Sequence, residues 1–144
     1  MENGHNVISV VAGILIRDDK VFSSQRPAKA HQALKWEFPG GKIEKAETPE
    51  AALERELNEE LGVKTKTGKK FFEIVHAYPD KSVKVMFYFS EIVDGEPCAL
   101  EANDIGWFAR EELCTLDFAG ADAEVARLLS QRADSAPDND NSGI

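Results

Sequence analysis

Glu56, Glu59 and Glu60 fall in the run Arg55-Glu56-Leu57-Asn58-Glu59-Glu60. At about 100° per residue, a helix would gather the three carboxylates within roughly 100° of one another. Leu53, Leu57 and Leu61 form the neighbouring stripe, so the acids border the face that must meet a core. Like charges at these spacings destabilise a helix by roughly 0.2–0.5 kcal/mol per pair. A hard divalent cation would offset that repulsion, because it takes carboxylate oxygens and leaves water sites for a phosphate. The alternative is a solvated acidic face, the commoner fate of a glutamate-rich helix. The surroundings weigh against it. Gly40-Gly41 stand a short loop before the helix and leave backbone groups free to approach a ligand. Arg55 lies among the acids and can fork onto one carboxylate. Glu44 and Glu47 add acids on the connecting loop.

Regular elements must hold these groups in place. Thr48-Pro49 predicts a helix start, with threonine as N-cap and proline where the missing N–H is no loss. The helix should run to Leu61 and close on Gly62. Val7 to Ile16 (VISVVAGILI) reads as a buried strand, with a bulge or a close approach at Gly13. Asp18-Asp19 reads as a turn and Val21 to Ser24 as a second strand. Residues 26–36 read as a polar loop, and Glu37 to Gly41 as a break in regular structure. Lys70 to His76, Lys84 to Ile92 and the short Gly106-Trp107-Phe108 read as strands. Ala121 to Arg132 has helical spacing through Val125, Leu128 and Leu129. From Ala133 the chain has little to bury, so an acidic disordered tail is expected over 133–144.

The 144 residues suit one α/β domain, and 42% hydrophobic with 30% charged residues is an ordinary globular mix. A net charge of −9 argues against partners such as a nucleic-acid polymer or an anionic membrane. Phosphate handling by such a chain calls for local basic groups or a bound cation. Cys98 and Cys114 match no zinc or redox spacing, so a reducing cytoplasm is the expected compartment. Neither a membrane-length apolar run nor a signal-peptide pattern is present.

Gly41, five residues, Glu47, seven residues and then Arg55-Glu56-Leu57-Asn58-Glu59-Glu60-Leu61-Gly62-Val63 match the Nudix box at every defined position. The chain therefore resembles the Nudix hydrolases, over residues 1–132. The resemblance implies an α/β/α sandwich around a mixed β-sheet and Mg²⁺-dependent attack of water on a phosphoanhydride, with Mn²⁺ as a substitute ion. It implies Glu56 and Glu60 as inner metal ligands together with the backbone carbonyl of Gly40. Glu59 would bind a second ion or act through water, Arg55 would orient the acids, and Glu47 would fix the loop and the arginine. Such a division suits phosphoryl chemistry, which needs charge neutralisation and an activated water more than a protein nucleophile.

From Gln25-Arg26 to the last helix the chain resembles the MutT branch, which converts nucleoside triphosphates to monophosphate and pyrophosphate and removes oxidised guanine nucleotides (8-oxo-dGTP). That resemblance places Arg26 and His31 at the nucleotide and Glu37-Phe38-Pro39-Gly40 along the cleft. It places Tyr78 and Val83 at the base pocket, and Glu101 on a late loop as metal ligand or general base. One position departs from the pattern. MutT reads the oxidised base with an asparagine, and Phe118-Ala119-Gly120-Ala121-Asp122 offers Asp122 there, as the CTP pyrophosphohydrolases do. The expected partner is a nucleoside triphosphate, oxidised guanine or else cytosine, bound by a monomer or homodimer. A Nudix-fold module that binds a nucleotide without turnover is the alternative from another class, against which the full glutamate set argues.

Overall fold

The computed structural model describes residues 6–131, so the tail expected over 133–144 lies outside the described residues. A long apolar strand, β1 (Asn6–Arg17), organises the sheet. Its side chains alternate between two cores. Val11 and Leu15 face one, while Ala12 and Ile14 face the other. A strand buried on both faces reads as a near-continuous apolar run, as this one does, and tolerates a parallel neighbour. That neighbour is β6 (Lys81–Asp94), in unbroken register from Asn6↔Lys81 to Leu15↔Ser90. Met86 and Tyr88 join the first core, and Phe87 joins the second.

The other edge of β1 is divided. β4 (Gly40–Lys42) pairs antiparallel with Val10–Ala12, and β2 (Lys20–Gln25) pairs with Ile16–Arg17. Beyond that hairpin β2 leaves β1 and pairs with β3 (Trp36–Glu37) on the same edge, with β7 (Asp104–Ala109) on its other side. Phe38 and Pro39 bridge the gap between β3 and β4, and the Gly13 N–H donates to the Pro39 carbonyl at 2.8 Å. β5 (Lys64–Ala77) closes the sheet beyond β6.

One helix covers each face. α1 (Pro49–Leu61) lays Ala52, Leu53, Leu57 and Leu61 on the first core. α2 (Gly120–Gln131) lays Val125, Ala126 and Leu129 on the second, beside a 3-10 turn at Arg110–Thr115. The expected sandwich around a mixed sheet is therefore present. At its start α1 is capped by the Thr48 hydroxyl, which accepts from the Ala51 N–H at 3.1 Å. It ends on Gly62 at φ 73°, whose N–H donates to Asn58 at 2.9 Å.

Several elements differ from the sequence reading. β5 starts at Lys64, not Lys70, and β6 at Lys81, not Lys84. The segment Lys64–Lys69 is polar because it lies at a sheet edge, with only Thr65 buried. Glu37 to Gly41 does not simply break regular structure, since β3 and β4 flank the Phe38-Pro39 bridge.

Gly13 serves a close approach and not a bulge. A Cβ there would meet Leu57 Cδ1 at 3.3 Å and Leu53 Cδ1 at 3.4 Å, so α1 rests directly on the strand. Gly13→Ala should be tolerated with a shift of a few tenths of an ångström. Gly13→Val should lower stability by about 1–3 kcal/mol through overpacking. Thermal melts of the two variants check this, and a Val variant as stable as wild type would mean the helix does not bear on Gly13.

Candidate active site

The acids of α1 do not share one environment. Glu56 keeps 16% of its side-chain exposure and packs on Gly41, where a Cβ would lie only 2.4 Å from the Glu56 carboxyl carbon. Any side chain at 41 would take the carboxylate's place, so the glycine is a cradle that a Cβ would fill. Glu60, one turn on, is half-buried and hydrogen-bonded to Glu56. Burial first, then that hydrogen bond and the charges of Glu56, Glu37 and Glu101, push its carboxyl up to about 9. Two oxygen-rich groups thus sit together in a spot that penalises their joint ionisation. Glu59 turns away, at 52% exposure, and pairs with Arg55 at 3.3 Å.

Arg55 binds the loop to the helix. Its Nε and Nη2 donate to the two oxygens of Glu47 at 2.7 and 3.0 Å, and Nη2 also donates to the Lys42 carbonyl at 3.1 Å. Its Nη1 reaches Glu56 at 3.2 Å. This forked pair, with the Glu44 N–H donating at 2.9 Å, holds Glu47 down at about 2. Hydrogen bonding to Glu47 raises the Arg55 guanidinium in turn. Glu47 and Arg55 thus form a forked ion pair that ties the loop to the helix.

The remaining candidates lie on both sides of the bridge. Glu101 sits on the loop after β6, exposed. That loop is fastened to the end of α1, the Cys98 N–H donating to the Leu61 carbonyl at 2.9 Å and the Leu100 N–H to Glu60 at 3.3 Å. Arg26 donates to Glu37 at 2.8 Å and to the His31 carbonyl at 2.7 Å. His31 itself is exposed in its loop. Phe38 is buried, stacked on Phe118 at 5.1 Å and edge-on to Phe87 at 6.2 Å. Its N–H donates to Asp122 Oδ2 at 2.7 Å. Burial raises the Asp122 carboxyl to about 7, against the Phe38 hydrogen bond, with Glu37 raising it and Arg26 lowering it. Val83 is half-buried in β6, two residues before Val85 of the α2-side core. Tyr78 is 45% exposed at the β5–β6 hairpin, its ring 5.4 Å from His76.

Sequence reasoning missed three contacts. The Arg26–Glu37 pair, the Phe38–Asp122 bond and the parallel bridge of Trp36 with Phe118 join segments with no local signal. Among the described residues, no three His, Cys, Asp or Glu side chains converge closely enough to hold a metal ion by themselves. Nor, among the described residues, is any helix long and apolar enough to cross a membrane.

Residues 8–129 match the NUDIX domain, and the chain belongs to the Nudix family. An 8-oxo-dGTP diphosphatase of Escherichia coli is 35% identical over 125 residues, 86% of this chain and 97% of the relative. A CTP pyrophosphohydrolase of the same organism is 35% identical over 116 residues, 81% of this chain and 86% of the relative. The solution structure of the E. coli ORF135 protein superposes with a TM-score of 0.76 at 32% identity, covering 90% of this chain and 96% of that one.

Glu47 and Glu60 impose opposite pH dependences on metal-free protein. Glu47 ionises more readily when folded, so its stabilisation is complete above its ordinary 4.5 and is lost as pH falls toward 2. Glu60 holds its proton when folded, so stability should decline as pH rises from 4.5 to about 9. Melts in chelator across pH check both. Glu47→Gln should remove much of the acid-side loss, and Glu60→Gln should flatten the alkaline-side decline. Unaltered profiles would mean that neither group is perturbed as described.

Proposed function

We propose that the chain is a Mg²⁺-dependent pyrophosphohydrolase that splits a nucleoside triphosphate into monophosphate and pyrophosphate, with Mn²⁺ able to replace Mg²⁺. The observation that carries this reading is the Glu56–Glu60 pair, with Glu56 held against Gly41. The donors are hard oxygens, and repulsion between them is relieved by a divalent cation. Glu56, Glu60 and the Gly40 carbonyl would hold it, with Glu59 and Glu101 as further acidic groups. A bound Mg²⁺ supplies charge neutralisation on the phosphates and lowers the pKa of a water.

The chain's own residues do the rest. Arg55 and Glu47 keep the Glu56 carboxylate aimed at the glycine strand. Arg26, held by Glu37 and the His31 carbonyl, offers a cation to the triphosphate in an otherwise acidic site. Glu101 stands near enough to Glu60 to raise it, which suits a group that takes a proton from water.

Asp122 is the reader of the base in this proposal. Its Oδ2 accepts from Phe38, so a proton on the carboxyl belongs on Oδ1. A protonated Asp122 can donate one hydrogen bond and accept another, matching the O6 acceptor and N7–H donor of oxidised guanine. It also matches the N3 acceptor and amino donor of cytosine. Oxidised guanine is the first choice, on the 8-oxo-dGTP diphosphatase relatives. Cytosine is the second, on the CTP pyrophosphohydrolase relative.

The test is purified protein with Mg²⁺ against oxidised dGTP, dGTP, dCTP and CTP, with product analysis and a pH series. Monophosphate and pyrophosphate are expected as primary products, and orthophosphate with diphosphate would rule the reading out. Base discrimination should fall as pH rises through about 7 and Asp122 loses its proton, and Asp122→Asn should abolish that dependence. Parallel, unchanged selectivity in both proteins would remove Asp122 from base reading.

A further inference from the structure

Gln25 stands at the end of β2, where the sheet splits. It pairs with Trp36 of β3 on one side and Asp104 of β7 on the other. Two loops therefore leave from one point: residues 26–35, which carry Arg26 and His31, and residues 95–103, which carry Glu101. The Gln25 side chain touches both. Its Nε2 donates to the Leu34 carbonyl at 3.0 Å, and its Oε1 accepts from Asn103 Nδ2 at 2.6 Å. A carbonyl only accepts and an amide nitrogen only donates, so these partners fix the orientation of the carboxamide.

Each contact leads toward the site. Leu34 has a left-handed backbone, φ 61°, which a leucine rarely adopts. Gln25 holds the carbonyl of that strained turn. The same loop supplies the His31 carbonyl that orients the Arg26 guanidinium. On the other side, Asn103 ends the loop whose Glu101 acts on Glu60. The Asn103 N–H also donates to the Gln25 carbonyl at 2.9 Å, so this end of the loop is held twice.

We infer that Gln25 and Asn103 are positioning residues for the reaction, an amide clamp that sets the Arg26 loop and the Glu101 loop against each other across the substrate cleft. The inference rests on the proposed hydrolysis. Neither residue touches the reacting atoms. Gln25 acts on substrate binding through Leu34 and on the chemical step through Asn103. A displacement of about 1 Å at a reacting group reduces rates by up to two orders of magnitude, so losing one arm should be visible in kinetics.

The experiment compares Gln25→Met, Gln25→Glu and Asn103→Ala for kcat, KM and Tm. Gln25→Met lacks both hydrogen-bonding arms and should raise KM and lower kcat, each by about tenfold. Gln25→Glu keeps an acceptor for Asn103 but sets a carboxylate against the Leu34 carbonyl. It should recover kcat while KM stays high. Asn103→Ala should lower kcat with KM within twofold, and should cause no further loss in a Glu101→Gln background. Binding of a triphosphate with a methylene bridge between its α and β phosphorus, followed by tryptophan fluorescence without divalent metal, gives a readout independent of turnover. It should weaken in both Gln25 variants and not in Asn103→Ala. Variants that keep kcat, KM and binding within twofold would overturn the clamp. So would kcat losses that only track a fall in Tm, without the split between kcat and KM. Failure of wild-type protein to release pyrophosphate would refute the hydrolysis instead, and the metal-free binding comparison would still decide the clamp's binding arm.

Discussion

Two carboxylates one helical turn apart, one of them pressed against a glycine strand, resist being charged together. That constraint organises the site. Glu56 and Glu60 share a hydrogen bond, and burial with neighbouring acids keeps Glu60 protonated to about pH 9 without a cation. Gly41 makes the room, because any Cβ there would occupy the Glu56 carboxyl. Arg55 prevents Glu56 from swinging away, and Glu47 holds Arg55 by a forked pair that anchors the preceding loop. The fold thus holds together two acids that a divalent cation would allow to ionise at once.

The sheet divides the work between its faces. The α1 face carries the acids, and the α2 face carries the aromatic group of Phe38, Phe87 and Phe118 with Asp122 beside it. The bridge from Glu37 to Gly40 connects them through the gap left where β2 leaves β1. Glu37 is common to both halves: its charge raises Glu60 and Asp122 alike, and it holds Arg26. A metal on one face and a base on the other would therefore communicate through one carboxylate. The Gly13–Pro39 hydrogen bond fixes that bridge to the strand on which α1 rests.

Local signals in the sequence were sufficient wherever the physics is local. Thr48-Pro49 and Gly62 mark both ends of α1, the leucine stripe marks its buried side, and the acids follow from the spacing. Glu47 and Arg55, eight residues apart on one loop and helix, pair through a local contact. Long-range pairing left no such trace. Lys64–Lys69 looks like a loop because its identity as an edge strand comes from β6, not from its own residues. Asp122 reaches Phe38 across 84 residues, and its partner leaves no local trace. Tyr78 sits on the β5–β6 hairpin, 45% exposed, with its ring beside His76.

The central claim is that Glu56 and Glu60 together hold the divalent cation. Mg²⁺-induced change in Tm, measured beside Mg²⁺-dependent turnover in wild type and Glu60→Gln, tests it most directly. Wild type should gain Tm with Mg²⁺ as the cation replaces the shared proton. The variant, which keeps the size of the side chain without its charge, should lose that gain and at least about two orders of magnitude in turnover. A Glu60→Gln protein that keeps both the Mg²⁺-dependent Tm gain and near-normal turnover would contradict the account.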